Sequence, residues 1–380
     1  MGTMTINGVY ASAAIFTAKT HTIEDYALSQ LQMICDNPAA KDAKIRVMPD
    51  VHPGKIGPIG LTMTVTDTVL PGLVGIDAGC GMTMAQVTGK VRDFQKLDTV
   101  IREKVPSGFS VRKTPHRLME NFDFSELYCR NHINLEKARL SAGTLGSGNH
   151  FIEVDQDEEN HTYLTIHSGS RHLGKEVSEY YMKEGQKQLQ AEGITVPYEL
   201  TYLSGELKEQ YLHDLMILTE YAAISREIMI NEICRGMKWK VSDLRTCIHN
   251  YIDTRPEMIR ALGAPLLRKG AVSALQGETV IIPVNMHDGI LLGTGLGNKE
   301  FNCSAPHGSG RIYKREDVKN HYTVSSFKAA MKGIYSTCIS RDTLDEAPFA
   351  YRGMEEMLDV VEETVKIEKI LHPLYNFKAG

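Results

Sequence analysis

Apolar positions recur along this chain at two spacings, and the switches between them outline its elements. Leu61 to Val69 alternates apolar with polar residues, which predicts a strand. The Pro/Gly-punctuated run MPDVHPGKIGPIG precedes it, so residues 45–87 read as strand and loop. Phe151 to Val154 and Tyr163 to Ile166 make a second strand-like zone. Residues 176–192 and 206–238 read as helices. In the longer one Tyr211, Leu215, Leu218, Ala222 and Met229 recur at helical spacing. Thr279 to Met286 reads as a short apolar strand, and the glycine-rich stretch Gly289 to Gly310 as loop or tight hairpins. Residues 323–338 and 353–371 read as helices.

No internal repeat or low-complexity tract divides the chain. Its chemistry-bearing motifs lie near 77, 80, 150, 167, 249 and 307, and no cut leaves them on one side. The simplest arrangement is one large mixed α+β domain, residues 1–380, whose loops converge. A helical insertion at about 175–245 carries no motif and separates two that should meet.

Composition narrows the class. With 42% hydrophobic residues the chain can build a proper core, and a net charge of -5 advertises no global nucleic-acid affinity. A basic groove would have to be local, and Arg171 to Lys175, Arg268 with Lys269, and Arg311 with Lys314 and Arg315 are its candidates. The seven cysteines are odd in number, widely spaced and free of CxxC pairs, which favours a reducing cytoplasm over a disulfide framework. No stretch is long and apolar enough to cross a bilayer. No signal peptide is read, and Ile6 stands where a myristoylation motif wants Ser or Thr, so no membrane partner is expected.

The candidate chemistry is a ligand set: Asp77 and Cys80 in GIDAGCGM, His150 in GSGNHF, His167 in IHSGSR and His249 in CIHNYID. One thiol, three imidazoles and a carboxylate exceed one tetrahedral metal but suit two metals sharing a thiolate. Taken singly, each has a competing structural reading: a capping Asp, a small buried Cys, a hydrogen-bonded core His. Together they point to a metal centre with His307, in the bendable run HGSGR, left over as base, ligand or nucleophile. As a nucleophile on a nucleotide α-phosphate, His307 would form a phosphoramidate. Asn149 can donate to a phosphate oxygen. His52 and His287 are lesser candidates, and His21 has no motif around it.

The motifs MPDVHPGKIGPIG, GIDAGCGM, GTLGSGNHFIE, IHSGSRHLG, HNY, RKGAV, HGSGR and DEAPFAYR together resemble the RtcB family of RNA ligases, in family order from residue 48 to 352. The resemblance implies an α+β fold with mixed sheets around a central metal and nucleotide cleft. It implies an enzyme that joins an RNA 3'-phosphate or 2',3'-cyclic phosphate to a 5'-hydroxyl using GTP and two Mn2+ ions, in RNA repair or tRNA splicing. By motif, Cys80 would bridge the metals, with His167 and His249 on one and Asp77 and His150 on the other. His307 would accept GMP. Asn149, Gly308, Gly310 and Arg311 would contact phosphate, while Phe151, Glu153 and Tyr351 would surround the guanine. Glu153 would read its N1/N2 edge, and Lys378 would stand in for a lysine at the base. Arg171 and Arg311 would meet RNA ends. An archease-like activator or a release-factor-like repair protein is a further implied partner. The ligands alone favour zinc, so manganese rests on the resemblance.

The chain departs from the family at PVNMHDGILLGTG, where many members carry nucleotide-contacting serines, at the C-terminal LYNFKAG, and at the Ala-Pro lead-in to His307. This suggests a divergent subgroup. The competing reading is a dinuclear metal phosphohydrolase that opens or removes terminal RNA phosphates without joining strands. A third reading is an RNA-end-binding protein that has lost turnover.

Overall fold

The computed structural model describes residues 2–17 and 23–379. It is a mixed α+β structure built on two larger sheets. The six-stranded sheet runs in the spatial order Gly2–Asn7, Ser12–Thr17, Ile45–His52, Ile59–Thr64, Leu266–Lys269, Asn250–Asp253, with one parallel pairing between its second and third strands. The seven-stranded sheet is antiparallel throughout, in the order Lys240–Ile248, Gly81–Thr88, Thr162–Ser168, Phe151–Gln156, Val365–Lys378, Gly289–Gly295, Thr279–Asn285.

Period-two patterning explains how this second sheet is buried on both faces. Ile152, Val154, Leu164, Ile166, Ala85 and Val87 pack in one cluster with Met229, Ile230 and Ile233 of the helix Gly205–Met237. The alternating residues Met82, Met84, Phe151 and Tyr163 meet Ile281, Ile290 and Leu371 from the far strands. That second face also carries the buried polar residues Glu153, Asp155, Thr165 and His167.

The helix expected at 206–238 forms over Gly205–Met237, and Tyr211, Leu215, Leu218, Ala222 and Met229 are all buried. Arg171–Ala191 is the other long helix. The stretch 240–245 belongs to a strand, so the helical part of the expected insertion ends at Met237. Gly289–Gly310 contains the second strand of a hairpin, Gly289–Gly295, and a short strand Ser304–Pro306.

Two expected helices are shorter. Val324–Ala330 is helical but the chain then turns. Met354–Val361 is helical, whereas Val365–Lys378 is a strand. Its Lys/Glu-rich start favours a helix locally. Pairing to Gly289–Gly295 on one side and Phe151–Gln156 on the other overrides that preference.

The two sheets meet where Lys240–Ile248 gives way to Asn250–Asp253, with His249 between them. A fully buried ion pair anchors this junction. Arg268 donates to Asp253 at 2.8 Å, to the Tyr251 hydroxyl at 2.8 Å and to Ser304 at 2.9 Å. Removing one partner strands the other charge in the interior. Asp253→Ala should therefore cost about 3–5 kcal/mol, read as a lower midpoint in urea unfolding; an unchanged midpoint would refute the anchoring role.

Candidate metal and nucleotide site

Strand register brings the ligand residues to one level. His167 lies opposite Met82 on one neighbour and Phe151 on the other, so the residues just before those two strands, Cys80 and His150, sit beside it. His249 continues the next strand, its N–H donating to the Cys80 carbonyl at 2.9 Å. The side chains converge. The Cys80 sulfur is 3.3 Å from His167 Nε2 and 3.5 Å from His150 Nε2. His167 Nε2 is 3.3 Å from His249 Nε2, and His150 Nε2 is 3.1 Å from an Asp77 oxygen. Gly169 makes room for that carboxylate: a Cβ there would lie 2.0 Å from Asp77 Oδ1.

Ring orientation decides what these nitrogens can do. His150 Nδ1 faces the Leu145 carbonyl at 2.8 Å and His167 Nδ1 the Asn149 carbonyl at 3.1 Å. Carbonyls only accept, so each Nδ1 carries the hydrogen and each Nε2 presents a lone pair to the thiol. Burial holds His167 and His249 well below the usual imidazole range, so both stay neutral. Burial, then the adjacent Asp77, holds the Cys80 thiol well above its usual range. Burial alone would also raise Asp77, but His150 beside it, with help from Cys80 and His167, outweighs that and keeps it ionised. Neutral soft donors aimed at one point, with an anion beside them, fit cations. Cys80, His150 and His167 have ligand atoms within 4.8 Å of one another. Metal binding there would displace the thiol proton.

His307 lies beside this set, its ring centroid 4.9 Å from that of His249. Asp50, fully buried, accepts from His307 Nδ1 at 2.7 Å and from its backbone N–H at 3.2 Å. Nε2 therefore carries the lone pair. Nothing about Asp50 singles it out in the sequence except its place in the Pro/Gly run before His52. His52 itself donates to the Asp50 carbonyl at 2.7 Å and is kept neutral by burial, which pulls it to about 4. His287 is exposed and paired with Asp288, away from the set.

A cleft of about 540 Å³ opens from His167 and His307. Asn149, Phe151, Glu153, Gly308, Gly310, Arg311, Tyr351 and Lys378 all line it. So do Glu346 and Asn376, which sequence reasoning did not single out. Asn376 donates to Glu153, whose carboxyl burial pushes upward. Arg311 stacks over Tyr351 at 4.6 Å and donates to Glu346. Lys378 also donates to Glu346, at 2.6 Å. Burial alone would raise Glu346; Lys378, then Arg311 and Arg315, outweigh it and pull it to about 2.

Arg171 lies elsewhere. It donates to the Gly108 carbonyl at 2.9 Å and to Thr144 at 3.3 Å, beneath the loop that carries Asn149. A further residue missed in the sequence is Arg226, fully buried in the long helix. It donates to the Gly79 carbonyl at 2.9 Å and the Ser168 carbonyl at 2.8 Å, tying together the turns next to Cys80 and His167.

Among the described residues no helix is long and apolar enough to cross a membrane, and all seven cysteines are free. A family model described as "tRNA-splicing ligase RtcB" matches residues 30–131 and 120–379. The chain is similar to the "RNA-splicing ligase RtcB" of Escherichia coli (strain K12), 28% identical over 358 residues, covering 85% of this chain and 87% of the relative. It is also similar to the "tRNA-splicing ligase RtcB" of Archaeoglobus fulgidus, 27% identical over 440 aligned residues, covering 93% and 91%.

The Glu346 cluster has a pH signature. A carboxylate depressed in the folded state adds stability above its unfolded value near 4.5 and loses it as pH falls towards 2. Glu346→Gln should therefore be less stable than wild type by about 3 kcal/mol above pH 4.5, with the gap closing towards pH 2 in parallel unfolding curves.

Proposed function

Since the chain belongs to the RtcB family, we propose that it is an RNA ligase working through a covalent histidine–GMP, with Cys80 the ligand that two cations would share. The observation that carries this reading is His307: Nδ1 is fixed by Asp50 while Nε2 stands between the ligand set and the cleft. His167 and His249 would hold one cation and Asp77 and His150 the other, with Mn2+ the ion the family suggests. When bound, the pair supplies positive charge to neutralise phosphate oxygens.

His307 Nε2 attacks the α-phosphorus of GTP. An N–P bond forms, the α–β P–O bond breaks, and pyrophosphate leaves with the bonding electrons. Asp50 stabilises the imidazolium-like charge through Nδ1–H, the role a buried carboxylate plays behind any attacking imidazole. An RNA 3'-phosphate oxygen then displaces His307 and takes the GMP. The 5'-hydroxyl of the second RNA attacks that activated phosphate, forming the phosphodiester and expelling GMP. A 2',3'-cyclic end must first be hydrolysed to the 3'-phosphate.

The cleft walls suit guanine. Glu153 offers carboxylate oxygens for N1–H and N2–H, Phe151 an aromatic face, and Lys378 a cation 5.7 Å from that face. Arg311 and Asn149 lie where phosphates would pass. The whole chain acts as one unit in this reading, in the reducing cytoplasm its free cysteines suit. An activating or repair partner would act on this same site.

Incubation with labelled GTP and Mn2+ should leave an acid-labile, alkali-stable adduct, and mass spectrometry should place a GMP increment on the His307 peptide. Wild type labelling no better than His307→Ala would overturn the proposal. GTP-independent end processing without ligated product would favour the phosphohydrolase. Asp50→Asn should slow labelling on the order of 100-fold while leaving metal content unchanged. Cys80→Ala should lower the number of Mn2+ ions bound in equilibrium dialysis, and wild-type stoichiometry in that variant would exclude the bridging role.

A further inference from the structure

The ligand set is open on two sides. One opening is the cleft, reached through His167 and His307. The other is at Asp77, which does not line that cleft yet is 34% exposed. Arg171 follows the Gly169–Ser170 turn here and lies within electrostatic reach of Asp77. Ser147, Gly148 and Asn149 are exposed beside it.

A second segment is fastened to this opening. Gly108 N–H donates to the Gly146 carbonyl at 2.8 Å, and Leu145 N–H to the Pro106 carbonyl at 2.9 Å. Arg171 reaches across to the Gly108 carbonyl at 2.9 Å, its guanidinium lying where a Cβ on Gly146 would be. Ser110 N–H closes the turn on the Ser107 carbonyl at 3.1 Å, and Gly108 takes the left-handed conformation it needs (φ 63°). Arg112 pins the far end, donating to the carbonyls of Ala142, Gly143 and Lys104. At the tip of this fastened turn Phe109 is wholly exposed, at 104% of its reference area, and Val111 beside it is 37% exposed.

The surrounding charge runs against that of the whole molecule. Residues 102–117 carry five cations and one acid, Glu103, in a chain of net charge -5. Arg102 is paired with Asp98 and Arg112 is spent on backbone carbonyls, which leaves Lys104, Lys113 and Arg117 for this face. A rigid aromatic ring among cations, beside a phosphate-handling centre, is the combination that receives single-stranded nucleic acid. Stacking a base on a ring that is already fixed costs little ordering entropy.

We propose that Phe109 is a stacking platform for a nucleobase near the end of the RNA strand entering the metal centre from the Asp77 side, with Lys104 and Lys113 meeting its phosphates. This leaves the cleft to the nucleotide and gives each substrate its own approach. The identity of the occupant as RNA rests on the ligase reading. A protein partner would also cover an exposed aromatic, but the local positive charge favours RNA.

The test uses full-length protein and single-stranded RNAs ending in a 3'-phosphate, with 2-aminopurine at one of the last three positions. Wild type and Phe109→Trp should quench the fluorescence of one of these RNAs. Phe109→Ala should lose that quenching and bind about tenfold more weakly, the loss expected of one base–aromatic stack. Its RNA-free labelling by GTP should match wild type. Quenching and affinity unchanged in Phe109→Ala would overturn the proposal. Wild type that quenches the RNA but takes no label from GTP would instead overturn the histidine–GMP mechanism and leave the platform standing.

Discussion

Two imidazole lone pairs and a thiol sulfur are held against one another in the interior of this fold. His150 and His167 spend their Nδ1 hydrogens on backbone carbonyls, so their Nε2 lone pairs converge on the Cys80 sulfur. The second-sheet register and the crossing at His249 leave no freedom to turn away. A thiol and two imidazole lone pairs held at one point are a preorganised donor set for a cation. The buried cations around it serve this geometry: Arg226 ties the Cys80 and His167 turns, and Arg268 ties the strand that follows His249 to its neighbour Leu266–Lys269.

The two ends of the cleft solve opposite electrostatic problems. At the ligand set, neutral donors await positive charge. At the Glu346 end cations already outnumber carboxylates: Lys378, Arg311 and Arg315 meet the buried Glu346, and Arg315 also meets Asp345. A cluster closed by its own ion pairs fixes side chains without a metal cation, and it holds Arg311 over Tyr351 and Lys378 over Phe151. His307 stands between the two, and Asp50 sets which of its nitrogens faces outward.

Much of the candidate site was legible in the sequence because glycine-flanked Cys and His motifs are unusual in combination, and Cys80, His150, His167, His249 and His307 do gather. Asp50 was not, since a carboxylate inside a Pro/Gly run looks like turn chemistry, and only the fold brings it to His307 across 257 residues of chain. Glu346 lies in the run DEAPFAYR, but nothing in that run marks which of its two acids is buried. Arg226 did leave a signal: it falls four residues after Ala222, on the buried stripe of its helix, where a charge must have a reason. Residues 365–371, the first half of the strand Val365–Lys378, were misread as helix because they carry helix-forming Lys and Glu, and only the strand's partners reveal it.

The departure at PVNMHDGILLGTG changes what one cleft wall can offer. Val284 and Met286 belong to hydrophobic clusters, and the Asn285 amide is committed to Asp288 at 2.9 Å and the Arg352 carbonyl at 3.3 Å. The Val284 carbonyl on this wall accepts from Ser309 at 2.6 Å. That bond holds the loop just after His307, while Asp50 holds the histidine itself, so the wall positions the reactive loop instead of binding nucleotide with side-chain hydroxyls. The cleft's other polar side chains include Glu153, Asn376 and Lys378. Two of these three come from the strand Val365–Lys378. In the proposed ligase reading the base of the nucleotide would meet the strand Val365–Lys378, which cannot slip by one residue without turning Asn376 and Lys378 out of the cleft.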